Sequence, residues 1–269
     1  MIRLLVFLSL LTLARADDPK VGPAHGSLIV HGGGRLDKET VAEFIKLAGG
    51  PDGPFIIIPT ANEGEVWDAA FVQQSFLVRA GAKNVSVLHT RDRDVANSPA
   101  FVEPLTKARG VWLDGGRQWR YADAYLGTRV VVELNGVLAR GGVIAGSSAG
   151  ATIQGNYLVR GAPEGNHIMM AKGHEEGFGF LRGVAVDQHV ITRHRENDLL
   201  AVIAAHPTLL GLGLDEATAI VVQGDLARVI GASKLIVSDP GYTPDANGQR
   251  WFSLAPGEVL DLSTRRATK

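Results

Sequence analysis

Gly141-Gly142-Val143-Ile144-Ala145-Gly146-Ser147-Ser148-Ala149-Gly150-Ala151 is the stretch on which the reading of this chain turns. An apolar run (Val143, Ile144, Ala145) stops abruptly in a tract of glycine, serine and alanine. Only small side chains surround one hydroxyl, as a strand-to-helix turn requires if it is to hold a serine in a tight, exposed bend. Gly146 and Gly150 allow close backbone approach, and a helix opening at Ala149 would aim its free N–H groups at whatever sits on the serine. The logic is that of a nucleophile elbow, which makes serine-based hydrolysis the first functional expectation. Ser148 is the candidate nucleophile, with glycine two residues before and two after; Ser147 is the neighbouring alternative. An ordinary tight turn, or a phosphate-binding helix start, would use the same residue types.

Outward from the elbow, strand-like and helix-like segments alternate. Residues 27–31, 55–59, 85–88, 110–113 and 142–145 read as strands, and Gly32-Gly33-Gly34 follows the first. Helical spacing predicts helices over 38–48 with Asp37 as cap, over 66–80 as one long amphipathic helix, over 99–107, and within 121–140. This alternation predicts βαβ units and a parallel sheet covered on both faces. Beyond Leu209 the runs 218–222, 227–230, 235–237 and 259–262 predict short, mostly antiparallel strands extending one edge of the same domain. No Pro/Ser linker divides the chain, so residues 17–269 read as a single α/β domain.

The chain of 269 residues is 45% hydrophobic and 20% charged, enough for a sizeable core. A formal net charge of −1 without long runs of like charge gives no basis for a nucleic-acid or membrane partner. Arg3, an apolar run from Leu4 to Leu13, and Ala14-Arg15-Ala16 predict a signal peptide over residues 1–16, hence export to a periplasmic or extracellular location. The run is too short for a comfortable membrane span. The absence of cysteine removes thiol nucleophiles, zinc–thiolate sites and redox pairs.

Several other residues could carry chemistry. Asp114-Gly115-Gly116-Arg117-Gln118 closes a strand, where ligands collect in parallel sheets. His189, in Asp187-Gln188-His189, is a candidate general base after a short apolar stretch; a structural histidine would look the same. Asp215-Glu216 offers a carboxylate to orient it, or simple turn chemistry. Arg193 and Arg195 suit carboxylate recognition. His167, His174, Glu175 and Glu176 could ligate a metal, but no helical His-x-x-x-His spacing supports that, and a loop over the site is the preferred reading. Trp67 and Trp119 read as packing groups.

Together these motifs resemble the peptidase family that contains cyanophycinase and α-aspartyl dipeptidase. The resemblance runs from Gly32-Gly33-Gly34 through Ile58-Pro59-Thr60-Ala61, Gly115-Gly116-Arg117-Gln118, the elbow and Asp187-Gln188-His189 to Gly213-Leu214-Asp215-Glu216-Ala217-Thr218-Ala219. It implies a class I glutamine amidotransferase-like, three-layer α/β sandwich with a mostly parallel sheet and C-terminal antiparallel strands. It also implies a Ser-His-Glu triad of Ser148, His189 and Glu216, with an oxyanion hole from the N–H groups of Gly116 and Ala149. Gln118, Gln188, Arg193 and Arg195 would bind substrate. The implied substrates are peptides or isopeptides with aspartyl residues, with no cofactor and no metal, and the implied assembly is a homodimer. Two positions depart from the cyanophycinase branch: Arg117 stands where that branch has aspartate, and Asp198 where it has arginine. That charge inversion weighs against a β-aspartyl-arginine polymer as substrate. An amidase or esterase of the same fold with another acyl substrate, and a non-catalytic binding protein, are the alternatives.

Overall fold

The computed structural model describes residues 18–268; the expected signal segment, residues 1–16, lies outside them. The chain begins with β1 (Ser27–His31), α1 (Lys38–Leu47), β2 (Pro54–Ile58), α2 (Ala69–Gln73), α3 (Phe76–Arg79) and β3 (Asn84–Val87). It continues through α4 (Arg93–Asn97), α5 (Pro99–Lys107), β4 (Gly110–Leu113), α6 (Gln118–Tyr125), α7 (Arg129–Ala139), β5 (Val143–Ser147), α8 (Ala149–Thr152) and β6 (Gly155–Tyr157). The second half holds β7 (Leu181–Gln188), α9 (Asp198–Ala205), β8 (Leu210–Leu214), β9 (Thr218–Gln223), β10 (Leu226–Gly231), β11 (Leu235–Ser238), β12 (Phe252–Leu254), β13 (Val259–Asp261) and β14 (Arg266–Thr268).

Among the described residues the strands form two sheets, ordered β14-β13-β10-β9-β1-β5-β4-β2-β3 and β12-β11-β8-β7-β6. In the larger sheet β1, β5, β4, β2 and β3 run parallel, because helical crossovers return the chain to the same end each time. On the other side of β1 the pairings become antiparallel, through β9, β10, β13 and β14. The apolar strands fill two cores by simple alternation. Ile56 and Ile58 join one buried cluster and Ile57 the other. The first cluster also takes Val186, Leu212 and Val237 from the smaller sheet, so the two sheets share it. In the second, Phe44 of α1 meets Phe55 and Trp112 with ring centroids 5.7 and 5.6 Å away. Asp37 caps α1 as expected, its Oδ1 accepting from the Thr40 N–H at 2.8 Å.

Two details differ from the sequence-based expectation, and a third refines it. Residues 66–80 form two short helices, because the Ser75 hydroxyl accepts from the Val78 N–H at 3.3 Å and starts a new helix there. Helix occurs within 121–140 as expected, as α6 and α7, parted at Gly127, whose φ of 70° no helix interior holds. The C-terminal strands do not all extend one edge. β11 leaves the large sheet and pairs antiparallel with β8 in the small one. The Ala232 N–H donates to the Ala217 carbonyl at 2.8 Å and the Ser233 hydroxyl to Asp215 Oδ2 at 2.8 Å, turning the chain back toward β8.

Candidate active site

The elbow is built by contact. Ser148 sits at φ 54°, ψ −110°, between the end of β5 and the start of α8. A Cβ on Gly146 would lie 2.2 Å from the Gly150 carbonyl oxygen, and one on Gly150 2.0 Å from the Leu113 carbonyl oxygen. Only glycine lets β5, α8 and β4 close this tightly. The strained serine backbone, a cost of about 1–3 kcal/mol, is held by hydrogen bonds. Its N–H donates to the His31 carbonyl at 2.9 Å, and its own carbonyl accepts from the Ala151 and Thr152 N–H groups at 3.0 Å.

The Ser148 hydroxyl lies 2.9 Å from His189 Nε2, and His189 Nδ1 lies 2.6 Å from Glu216 Oε1. These groups come from the ends of β5, β7 and β8. His189 and Ala217 both adopt positive φ, 56° and 51°, as the chain turns at each strand end. The glycine loop after β1 forms their floor. A Cβ on Gly33 would fall 2.3 Å from the His189 ring, and one on Gly34 2.5 Å from Glu216 Oε2. The Gly32 and Gly33 carbonyls accept from the His189 and Ala217 N–H groups at 2.9 Å. This role of Gly32-Gly33-Gly34 was not read from the sequence; a glycine triplet directly after a buried strand is the signal that could have pointed to a close approach.

Burial pushes the His189 imidazole below its ordinary 6.5; the Glu216 hydrogen bond opposes that shift, and the Arg193 charge adds to it. The ring is therefore neutral near pH 7, with Nδ1–H donating to Glu216 and Nε2 free to accept the serine proton. That arrangement can carry out nucleophilic acyl transfer.

Ser147 has a histidine of its own, which sequence reading missed. His31 is fully buried, and its Nδ1 lies 2.9 Å from the Ser147 hydroxyl. The same Nδ1 accepts from the Gly33 N–H at 3.2 Å, which places the ring proton on Nε2. Burial, partly offset by Asp37, brings this imidazole down to about 4. Ser147 thus faces a weak base in the interior, whereas Ser148 faces His189. The folded pKa of His31 lies below the unfolded value near 6.5, so the unfolded chain binds the extra proton between the two. Stability from this group is full above pH 6.5 and is lost as pH falls toward 4, by about 3 kcal/mol. Thermal melts of wild type and His31→Gln across that window should show a shallower pH slope in the variant. Equal slopes would overturn the assignment.

Gly116, at φ 137°, packs where a Cβ would be 2.2 Å from the Ala61 carbonyl oxygen. Among the described residues no protein acceptor takes the N–H of Gly116 or Ala149. A Cβ on Gly115 would lie 3.5 Å from Ser148 Cβ, so this turn lies directly against the elbow. A cleft of about 500 Å³ opens beside Gly116, lined by Asn62, Glu63, Trp67, Arg117 and Arg120. Asp114, at the end of β4, is pushed up to about 6 by burial. Gln118 is 1% exposed and donates its Nε2 to the Val159 carbonyl at 2.9 Å, and Arg117 Nη2 donates to the Ala162 carbonyl at 2.6 Å.

Gln188 is also buried, and its Oε1 accepts from Arg195 Nη1 at 3.2 Å; Arg193 is exposed. Asp198 is not a free negative charge. It and Asp187 grip the buried Arg160, a residue sequence reading did not single out although it is the one cation following the apolar run Tyr157-Leu158-Val159. Of the loop residues, His174 Nε2 lies 3.1 Å from Asp123 Oδ1, and Glu175 Oε1 accepts from the Tyr157 hydroxyl at 2.7 Å. Among the described residues no group of three or more His, Asp or Glu side chains is placed to hold a metal ion. Trp67 packs edge-on against Phe71, and Arg120 lies over the Trp119 ring.

Comparison with known proteins adds to this geometry. The model of peptidase family S51 matches residues 28–230. A cyanophycinase from Nostoc sp. is 32% identical over 221 residues, covering 77% of this chain and 72% of that one. A cyanophycinase from Geminocystis herdmanii is 32% identical over 218 residues, covering 78% and 76%. The crystal structure of a peptidase from an acI-B1 Actinobacterium superposes with a TM-score of 0.67 at 24% identity, over 88% of this chain and 97% of the other.

Proposed function

The chain belongs to peptidase family S51 and is a serine-type peptidase; from that premise we propose that Ser148, His189 and Glu216 are its catalytic triad and that it cleaves peptide or isopeptide bonds at aspartyl residues. The observation that carries the reading is the continuous chain of contacts, 2.9 Å from Ser148 Oγ to His189 Nε2 and 2.6 Å from His189 Nδ1 to Glu216. The relatives named cyanophycinase support the aspartyl specificity. The two mixed sheets and the strand-end site are what a three-layer sandwich of the class I glutamine amidotransferase-like type would present, and we assign the fold to that class.

In the proposed reaction the Ser148 oxygen attacks the scissile carbonyl carbon as its proton passes to His189 Nε2. Glu216 keeps the imidazole in the right tautomer and stabilises its cation. The developing oxyanion takes hydrogen bonds from the Gly116 and Ala149 N–H groups, the second aided by the start of α8. The C–N bond breaks as His189 returns the proton to the leaving amine. Water then enters, gives its proton to His189, and releases the acyl group as a carboxylic acid while the serine recovers its proton. Arg193 and Arg195 would receive the carboxylate of the aspartyl residue. Gln118 and Gln188, both buried, would act through Val159 and Arg195.

The test is a panel of α- and β-aspartyl dipeptides alongside cyanophycin, assayed with purified protein. Hydrolysis of none of them would sink the aspartyl reading. Activity should need neutral His189, so kcat/KM should rise with pH on an acid limb whose midpoint lies below 6.5. A midpoint above 6.5 would contradict the environment assigned to His189. Export after removal of residues 1–16, and assembly as a homodimer, complete the proposal. N-terminal sequencing of the exported protein and sedimentation analysis test them.

A further inference from the structure

Arg160 is among the largest fully buried side chains of the described residues, 2% exposed. Its Nε donates to Asp187 Oδ1 at 2.8 Å, and its Nη2 to Asp187 Oδ2 at 2.9 Å and Asp198 Oδ2 at 2.5 Å. Its Nη1 donates to the Asn166 carbonyl at 2.7 Å. Two carboxylates closing on one planar guanidinium fork is how a protein receives a basic side chain of a bound peptide. Here the basic side chain belongs to the chain itself.

The position of this niche gives it consequence. Asp187 lies two residues before His189 at the end of β7. Residues 159–162 bridge the two walls of the site, tied to one by Gln118 and Arg117 through the Val159 and Ala162 carbonyls and to the other by the Arg160 fork. Arg160 takes positive φ, 56°, a conformation arginine rarely adopts and one that aims its side chain at β7. The side chain of Asp198 is 38% exposed while Arg160 is buried beneath it, so Asp198 is the edge of the niche nearest the solvent. Meanwhile Arg193 and Arg195 have no carboxylate within ion-pair distance among the described residues; Arg195 reaches only Gln188. Next to His189, then, Asp187 and Asp198 both hold Arg160, whereas Arg193 and Arg195 are paired with no carboxylate among the described residues.

We propose that Arg160 is a specificity-determining residue that fills this carboxylate niche from within, so that the site takes acidic or neutral peptides and disfavours those with arginine or lysine beside the scissile bond. The proposal rests on Ser148, His189 and Glu216 being the catalytic centre. It also replaces the argument from charge inversion at Asp198. Asp198 presents a carboxylate already hydrogen-bonded to Arg160, which lowers its repulsion of an incoming carboxylate, and an incoming cation finds the fork position occupied.

Two measurements test it together. In wild type, kcat/KM for Asp-Leu should exceed that for Asp-Arg and Asp-Lys by about ten-fold or more, and Arg160→Ala should narrow or reverse that ratio. Independently of turnover, calorimetric titration with methylguanidinium should show millimolar binding to Arg160→Ala, weaker binding to Arg160→Ala/Asp198→Asn, and none to wild type. If Arg160→Ala is insoluble, methylguanidinium during refolding should recover it. Binding by the variant without turnover of any aspartyl peptide would retain the niche and reject the aspartyl reading. Equal use of Asp-Arg and Asp-Leu by wild type would overturn the proposal. So would a folded variant that binds no methylguanidinium, or an insoluble one that methylguanidinium does not recover.

Discussion

Replacing Ser148 with alanine is expected to lower kcat by roughly 10⁴-fold or more, with the fold retained. The hydroxyl lies within hydrogen-bond distance of His189 Nε2, so its removal costs the proposed nucleophile and little packing. The positive φ of 54° is no harder for alanine than for serine, and the backbone bonds to His31, Ala151 and Thr152 are untouched. Any residual rate would come from the Gly116 and Ala149 amides and from binding alone. Ser147→Ala is the matching control. It removes one hydrogen bond to the buried His31 and should change kcat far less. Steady-state rates on an aspartyl dipeptide, with circular dichroism and melting to verify folding, decide the matter. Loss of activity in Ser147→Ala with activity kept in Ser148→Ala would move the nucleophile to Ser147 and overturn the assignment.

Glu216→Gln is expected to cost about as much, roughly 10⁴-fold in kcat, although the shape of the side chain hardly changes. Glu216 Oε1 accepts from His189 Nδ1 at 2.6 Å and so fixes the ring proton on the nitrogen away from the serine. An amide in that place can donate instead. The ring would then carry its proton on Nε2, where it cannot accept from Ser148, and the imidazolium formed during attack would lose its countercharge. The floor of Gly33 and Gly34 holds the new side chain in position, so the defect is electronic rather than positional. A pH profile separates the two causes. Without the carboxylate the His189 cation is less favoured, so the acid limb should move further below that of wild type. A loss of less than ten-fold with an unmoved limb would remove Glu216 from the machinery.

Much of this site was legible in the residues. Small residues crowd Ser148 because β4, β5 and α8 come within contact of one another there, and a Cβ at Gly146 or Gly150 has nowhere to go. Such a constraint leaves a local mark in the sequence. The proposed catalytic partners carry weaker marks. A histidine or a carboxylate after an apolar stretch occurs in many roles, and the resemblance rather than the spacing singled out His189 and Glu216. Their separation from Ser148 in the chain, 41 and 68 residues, became contact only through the strand order.

What the sequence by itself determined was the local part of the protein. The alternation of buried strands with helices, the Asp37 cap, the glycine-lined elbow and the candidate hydroxyl follow from steric and hydrogen-bonding rules acting over a few residues. Tertiary structure alone decided the rest. It sent β11 to the second sheet, set His31 beneath Ser147, and closed Asp187 and Asp198 on Arg160. Alternation tells which face of a strand is buried but not which strand lies beside it, and a charged residue carries no local sign of the distant partner that will neutralise it. Pairing and charge compensation are settled by the packed chain as a whole.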